Sequence, residues 1–431
     1  MAAAPARSAS SAPRVVLGVG GGIAAYKACE LLRRLTESGH DVTVVPTASA
    51  LRFVGAPTWE ALSGHPVSAE VWESVSEVPH VRLGQQADLV VVAPATADLL
   101  ARAAHGLADD LLTNTLLTAR CPVLFAPAMH TEMWQHAATR ENVATLRRRG
   151  AIVLDPAVGR LTGADSGPGR LPEPAEIFEA AVAVLRRGSA TPPDLAGLRV
   201  LITAGGTREP LDPVRYLGNR SSGMQGYALA RAAVARGAEV TLIAANVALP
   251  DPAGVKMLRA GTALELRDEV RAAAADADVV VMSAAVADFR PADYADAKIK
   301  KTDDRSAPEL TLVQNPHILS ELGHERLRAG QTVVGFAAET GDAEHSALDL
   351  GRRKLAKYGV DLLVVNEVGV DKVFGRPETE AVIVAADGTE TAVPPGPKSA
   401  LAEEIWDRVA AWRADGPGSA RTGAKPLSPS S

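Results

Sequence analysis

The sequence predicts an α/β chain of two doubly wound domains, and three observations carry that prediction. Two segments far apart in the chain open alike, each as a strand, a glycine-rich turn, a helix and a second strand. Uninterrupted apolar runs of strand length recur between polar stretches, the pattern of parallel strands buried on both faces. A polar stretch, Arg186-Arg-Gly-Ser-Ala-Thr-Pro-Pro-Asp-Leu-Ala-Gly197, separates the two openings and reads as a boundary. At 431 residues the chain has room for two domains of ordinary size, and 47% apolar residues suffice for two cores.

The first opening runs as a strand at 14–18, a helix to about residue 38 and a strand at 41–45; apolar runs at 89–93 and 123–126 add two more strands. Beyond the boundary come a strand at 198–203, a long glycine-rich loop, a helix over 226–236 and a strand at 239–243. Runs at 279–282, 333–336 and 362–365 continue that sheet. The segments 381–385 and 389–393 flank Asp387-Gly388, a hairpin signal, and 398–413 reads as a closing helix. Residues 1–13 are rich in Ala, Ser and Pro without the apolar stretch of a secretory leader, and 415–431 are rich in Gly, Ser and Pro; both are expected to be disordered.

The balance of 45 basic and 51 acidic residues leaves −6, which argues against nucleic-acid or anionic-membrane partners. No apolar run approaches the roughly 18 residues of a membrane helix. Two cysteines, Cys29 and Cys121, make neither a disulfide framework nor a zinc spacing, so the chain reads as cytoplasmic. Cys29 shares a helix face with Ala25, Leu32 and Leu35, and Cys121 precedes Pro122 at a strand start; both read as structural.

Ligands of open α/β sheets sit beyond the carboxyl ends of the strands. The first such loop, Gly18-Val-Gly-Gly-Gly-Ile23, nearly matches a dinucleotide fingerprint, but Ile23 occupies the third glycine position. The second strand leads into Val45-Pro-Thr-Ala-Ser49, which has no acid for a ribose, so a nicotinamide cofactor is disfavoured. Amides of Gly21, Gly22 and Ile23 at a helix start, with the hydroxyls of Thr47 and Ser49, suit the phosphate of a mononucleotide such as FMN. A P-loop is excluded because no Gly-Lys dipeptide exists, and no Gly-x-Ser-x-Gly elbow is present. His324-Glu325 begins like a zinc-protease motif, but Arg328 stands at the second ligand position.

Several strings occur in one order: Gly21-Gly-Ile-Ala-Ala-Tyr-Lys27, Ala93-Pro-Ala-Thr-Ala-Asp98, Pro127-Ala-Met129, Gly167-Pro-Gly-Arg170, Thr203-Ala-Gly-Gly-Thr-Arg-Glu-Pro-Leu-Asp-Pro-Val-Arg215, Asn219-Arg-Ser-Ser-Gly223, Ala284-Ala-Val-Ala-Asp288, Lys298-Ile-Lys-Lys301 and Gly335-Phe-Ala-Ala-Glu-Thr340. Together, over about 14–413, the chain resembles the bacterial bifunctional phosphopantothenoylcysteine decarboxylase/phosphopantothenate–cysteine ligases. The resemblance implies a flavodoxin-like FMN-binding decarboxylase domain at 14–190, then a Rossmann-like ligase domain at 191–414 with a C-terminal hairpin. The ligase would join phosphopantothenate to L-cysteine with CTP and Mg²⁺ through an acyl-cytidylate. The decarboxylase would convert the product, phosphopantothenoylcysteine, to phosphopantetheine: FMN oxidises the thiol to a thioaldehyde that accepts the electrons left by carbon dioxide, and the enethiol is then reduced.

By the same resemblance His80, in His80-Val-Arg-Leu-Gly-Gln-Gln-Ala-Asp88, is the general base, and Ala95 and Thr96 help hold FMN. Met129 and His130 meet the substrate, His130 standing where the family has an Asn. The family's flap cysteine, a proton donor, is replaced by Gly163, with Asp165 nearby. In the ligase, Lys298 and Asn219 are the catalytic pair and Asp288 takes the ribose. Ala284, Ala285, Asn315, Pro316, His317, Ile318 and Phe336 line the nucleotide site. Lys354 contacts phosphate, and a second family lysine falls on Tyr358, beside Lys357. Metal ligands stay unassigned. The family suggests a homo-oligomer, a trimer-based dodecamer with paired ligase domains. Rival readings are a ligase whose flavin domain only binds, a flavoprotein decarboxylase with an unrelated second domain, and a nicotinamide dehydrogenase.

Overall fold

The computed structural model describes residues 12–69, 78–160, 166–187, 194–300, 309–340, 344–367 and 378–415. Its contacts divide the chain into two compact units, Met1–Pro193 and Asp194–Ser431.

The first unit holds strands β1 (Arg14–Val19), β2 (Asp41–Pro46), β3 (Leu89–Ala95), β4 (Val123–Pro127) and β5 (Ile152–Val153), then a hairpin of β6 (Ala157–Arg160) and β7 (Ser166–Arg170). The first five form one parallel sheet ordered β2-β1-β3-β4-β5, the flavodoxin arrangement. Its helices are α1 (Ala25–Glu37), α2 (Ala56–Ser63), α3 (Pro79–Gln86), α4 (Ala97–His105), α5 (Leu111–Thr118), α6 (Thr131–Gln135), α7 (Ala137–Arg148) and α8 (Pro174–Arg187). All seven β3 residues are buried, which explains its unbroken apolar run. Helix α1 buries Ala25, Ala28, Leu31, Leu32 and Leu35, a stripe at helical spacing. These pack with Trp59 of α2 and with Ile177, Ala181 and Val184 of α8 on one sheet face; residues of α4, α5 and α7 cover the other.

The second unit holds β8 (Arg199–Gly205), β9 (Arg208–Pro210), β10 (Tyr216–Gly218), β11 (Glu239–Ala245), β12 (Val255–Ala260), β13 (Val279–Met282), β14 (Phe289–Pro291), β15 (Leu312–Gln314), β16 (Thr332–Glu339), β17 (Leu362–Glu367), β18 (Glu378–Ala385) and β19 (Glu390–Pro397). Its helices are α9 (Met224–Ala235), α10 (Ala263–Ala274), α11 (Ile318–His324), α12 (Ala347–Tyr358) and α13 (Lys398–Asp415). The main sheet is ordered β12-β11-β8-β13-β16-β17-β18-β19. Its six parallel strands follow the Rossmann order, and the last two add an antiparallel hairpin through Asp387-Gly388, where Gly388 has φ +89°. Prolines 394, 395 and 397 fall on the edge strand β19, where a missing N–H costs no ladder bond.

Helices α9 and α13 cover one face, and α10, α11 and α12 the other. Trp406 of α13 is fully buried, and its indole N–H donates to the Leu229 carbonyl at 3.0 Å. Arg236, 1% exposed at the end of α9, pairs with Asp194, Glu403 and Asp407, joining the start of the unit to its last helix. Arg413, in the last turn of α13, donates to the carbonyls of Asp278 and Gly330 and to the Thr332 hydroxyl.

Most expected elements lengthen by one to four residues at an end. The edge strand β12 and the small pairs β6–β7, β9–β10 and β14–β15 add to the expected set. Of the segments expected to be disordered, 1–13 and 415–431, residues 1–11 and 416–431 lie outside the described residues, whereas Pro13 O accepts from Asp41 N at 2.9 Å and Asp415 ends α13. Among the described residues no helix is long and apolar enough to cross a membrane.

Candidate functional site

In the first unit, β1 runs into the turn at 20–24 and α1 starts behind it. Gly20 donates its N–H to Pro94 O at 3.0 Å, and Thr47 donates to Val19 O at 2.9 Å, so three strand ends are laced together. A Cβ on Gly21 would lie closer than 3.0 Å to Ser49 Cβ, whereas one on Gly22 would meet only Thr96 Cγ2, at 3.9 Å. Among the described residues the amides of Gly21, Gly22 and Ile23 have no acceptor. They open into a cleft of about 990 Å³ lined also by Thr47, Ser49, Thr96, Met129 and His130. Thr96 caps α4, its hydroxyl accepting from Leu99 N at 3.3 Å, while Thr47 accepts from Ala50 N at 3.1 Å. Unspent amides at the start of a 13-residue helix, flanked by hydroxyls, form a cradle that fits a nucleotide phosphate.

The hairpin β6–β7 seats on the far wall. Met129 N donates to Gly169 O at 2.9 Å, and a Cβ on Gly169 (φ +153°) would collide with Met129 O. His130, exposed, is the N-cap of α6 and makes no capping bond with its ring. Sequence reasoning missed several wall residues, chiefly Tyr26, Lys27, Arg102, Arg160 and Arg170. Lys27, 16% exposed, pairs with Glu173 at 3.1 Å, and Glu173 also pairs with Arg170. Lys27 and Arg170 close two of the recurrent strings, so the signal was in view but unread.

One expectation for this unit, that Ala95 lines the cleft, is corrected. Ala95 is fully buried, its side chain facing the core beneath α4 and α5 and its carbonyl accepting from Ala128 N, so it does not line the cleft. His80 also lies off the cleft of its own chain. It sits at the start of α3, its carbonyl accepting from Thr118 Oγ1 at 2.7 Å and its Nδ1 buried without a partner among the described residues. Gly163 and Asp165 lie outside the described residues. Burial raises the thiol pKa of Cys29 and pushes that of Cys121 up to about 11, against a nucleophilic role for either.

In the second unit the strand order reverses between the parallel neighbours β8 and β13. The loops leaving these strands are joined: Ala284 N donates to Thr203 Oγ1 at 3.1 Å, Ala285 N to Gly205 O at 2.8 Å and Ala287 N to Thr207 Oγ1 at 3.0 Å. Ala284 and Ala285 therefore offer small side chains, not free amides. Asn219 donates from Nδ2 to Val286 O at 2.9 Å, which sets it beside this loop. The exposed Asp288 follows, its carbonyl accepting from Asn315 N at 2.8 Å; buried Asn315 donates to Ala287 O and accepts from Arg290.

His317 caps α11, its Nδ1 accepting from Ser320 N at 3.1 Å, and its ring meets that of Tyr358 with centroids 4.3 Å apart. Partial burial lowers the imidazole pKa; nearby Lys357 and Lys354 lower it further, and Asp288 opposes them. Asp288, Lys354 and Lys357 thus act electrostatically on the His317 ring, which Tyr358 meets directly. Lys354 pairs with Glu339 at the end of β16. Ile318 is buried beneath this group, and Pro316 is half-buried. Strand alternation turns the half-buried Phe336 toward the α9–α13 core, while Ala337 faces α11 and α12. Lys298 is exposed in the irregular segment after β14. Among the described residues no group of three or more metal-ligating side chains gathers.

A flavodoxin-ordered unit with an open phosphate cradle, followed by a Rossmann-ordered unit with a polar switch point, defines a two-domain nucleotide-handling α/β enzyme. The family model described as Flavoprotein matches residues 4–186, and that of the DNA/pantothenate metabolism flavoprotein C-terminal domain matches residues 195–412. The coenzyme A biosynthesis bifunctional protein CoaBC of Mycolicibacterium smegmatis is 62% identical over 410 residues, covering 94% of this chain and 98% of that protein. The protein of the same name from Mycobacterium tuberculosis is 60% identical, covering 92% and 96%, and that of Vibrio vulnificus 43% identical, covering 92% and 97%. The chain belongs to this family of bifunctional coenzyme A biosynthesis enzymes.

Proposed function

We propose that residues 191–414 couple phosphopantothenate to L-cysteine with CTP, and that residues 14–190 then decarboxylate phosphopantothenoylcysteine to phosphopantetheine with FMN. The observation that carries the reading is the set of three unspent amides opening into a cleft that also holds Met129 and His130.

A carboxylate is a poor electrophile. Attack of the phosphopantothenate carboxylate on the α-phosphate of CTP releases pyrophosphate and gives an acyl-cytidylate. The cysteine amine then displaces CMP, forming the amide. Lys298 supplies positive charge where it builds on the transferring groups, and Asn219 holds the acyl group. Asp288 accepts from the ribose, Lys354 contacts the phosphates, and His317 and Tyr358 present their paired rings to the nucleotide. With no metal cluster among the described residues, Mg²⁺ would arrive on the triphosphate.

In the first unit Gly21, Gly22, Ile23, Thr47, Ser49 and Thr96 would hold FMN. Bound there, FMN would supply a reversible two-electron acceptor for the substrate thiol. His130 donates to the substrate carboxylate, Met129 packs against the substrate, and His80 removes a proton. Because His80 is off its own cleft, this role entails a homo-oligomer in which α3 of one copy borders the cleft of another, consistent with a trimer-based assembly. The setting we propose is cytoplasmic.

The test supplies phosphopantothenate, cysteine, Mg²⁺ and CTP, with ATP in a parallel arm, and follows pyrophosphate and carbon dioxide together. Both products are expected with CTP. His80→Asn should abolish carbon dioxide while pyrophosphate continues. Pyrophosphate alone from the unaltered protein would make the first unit a flavin-binding module, the one rival that the replacement of the flap cysteine by Gly163 favours.

A further inference from the structure

Lys298 sits in a segment without regular structure, yet its neighbour Ile299 is held at both backbone polar groups. Ile299 N donates to Asp212 Oδ2 at 3.2 Å, and Ile299 O accepts from Arg215 Nη2 at 2.8 Å. The two side chains are themselves joined: Arg215 Nε reaches Asp212 Oδ2 at 2.9 Å and Nη2 reaches it at 2.5 Å. A third tie, Ala295 N to Leu211 O at 3.0 Å, fastens the same segment three residues before Lys298.

The two oxygens of Asp212 do separate jobs. Oδ1 accepts from Val214 N and Arg215 N, both at 2.8 Å, and so shapes the turn between β9 and β10. Among the described residues Oδ2 serves the Arg215 guanidinium and Ile299 N. Asp212 is 3% exposed, and the Arg215 guanidinium with three backbone N–H groups holds its carboxyl far below the usual range, so it stays an acceptor at any working pH. The turn needs one oxygen; the second is free to capture a distant strip of chain.

We propose that Asp212, with Arg215, is a positioning device that fixes the backbone beside Lys298 and so sets where its ammonium stands during acyl transfer. The proposal rests on the reading of Lys298 as the ligase lysine. A lysine side chain has four rotatable bonds, so its reach is useful only if its Cα is fixed. The carboxylate–guanidinium pair fixes it through backbone groups and leaves the side chain free to meet the ligand.

The discriminating variant is Asp212→Asn. Asn can keep one oxygen toward the turn amides but turns an NH₂ toward donors at the other side. In the full chain, kcat for pyrophosphate release should fall roughly 10- to 100-fold, the cost of about an ångström of misplacement, with KM for CTP and phosphopantothenate changing less. Tryptic cleavage after Lys298 should accelerate, while the thermal midpoint of the unit and carbon dioxide release from supplied phosphopantothenoylcysteine stay as in the unaltered protein. Arg215→Lys, which keeps the charge but cannot span Asp212 and Ile299 O together, should reproduce the kcat loss should Asp212→Asn fold poorly. Unchanged kcat in both variants, or a lowered midpoint with full kcat per folded molecule, overturns the proposal. Lys298→Ala measured alongside separates the two readings: if it keeps full ligase activity, the lysine assignment falls and the clamp with it, whereas an inactive Lys298→Ala beside a fully active Asp212→Asn sinks the clamp alone.

Discussion

The phosphate cradle depends on the absence of a single carbon atom. Because a Cβ on Gly21 would sit closer than 3.0 Å to Ser49 Cβ, Gly21→Ala must push the 20–24 turn away from the segment after β2. Overpacking of this kind costs about 1–3 kcal/mol, or roughly 5- to 150-fold in flavin affinity. The purified variant should lose bound flavin, read by its visible absorbance, while its far-ultraviolet circular dichroism stays the same. This glycine's role was legible, because a helix start preceded by small residues has a direct physical meaning. The facing of Ala95 was not, although Ala95 belongs to an equally recognisable string. That string places it at the end of a buried strand, but strand alternation decides which face each side chain meets, and no string carries that information. The wall cations Lys27 and Arg170 escaped for another reason: a charged residue in a string reads as solvated until its partner is known, and Glu173, three residues from Arg170, is brought to Lys27 from far along the chain.

Helix α11 illustrates how a short element can carry a titration. His317 caps it with an imidazole nitrogen that must be unprotonated to accept from Ser320 N. Its pKa in the fold is depressed below 6.5, so the unfolded chain binds the proton more readily. The resulting stability is full above 6.5 and is lost as pH falls through that value and then through the folded pKa. His317→Asn keeps a capping oxygen and removes the titration; the thermal midpoint of the second unit should then vary less with pH across the mildly acidic range. A variant as steep as the unaltered protein would remove His317 from this role. Among the strands, those with continuous apolar runs were legible. Strand β12, Val-Lys-Met-Leu-Arg-Ala, was not, because as an edge strand only Ala260 is fully buried, so its charged residues break the run that marks its neighbours. The hairpin β18–β19 was legible from its Asp-Gly turn and the two runs that flank it.

The molecule is two folding units, each with its own pair of cores. Calorimetry should therefore resolve two transitions, the earlier-numbered unit responding to added FMN and the later to CTP. Arg236→Met removes the buried cation shared by Asp194, Glu403 and Asp407. A loss of about 3 kcal/mol is expected in the second transition only. A shift of both transitions would show the units to be thermodynamically one.

Helix α13 closes the second unit from its far end: Trp406 fills the core beside α9, and Arg413 reaches the carbonyls and hydroxyl at the starts of β13 and β16. On a ribosome this order acquires a clock. Once residue 193 has emerged, the first unit has every strand and helix it will ever have and can take up flavin. The second cannot finish covering the face shared by α9 and α13 until its last helix is released, after more than two hundred further residues, some tens of seconds at roughly 5–20 residues per second. For that interval the nascent chain is a finished flavoprotein trailing a half-clothed sheet, and premature termination near residue 400 leaves the later step of the pathway intact while destroying the earlier one.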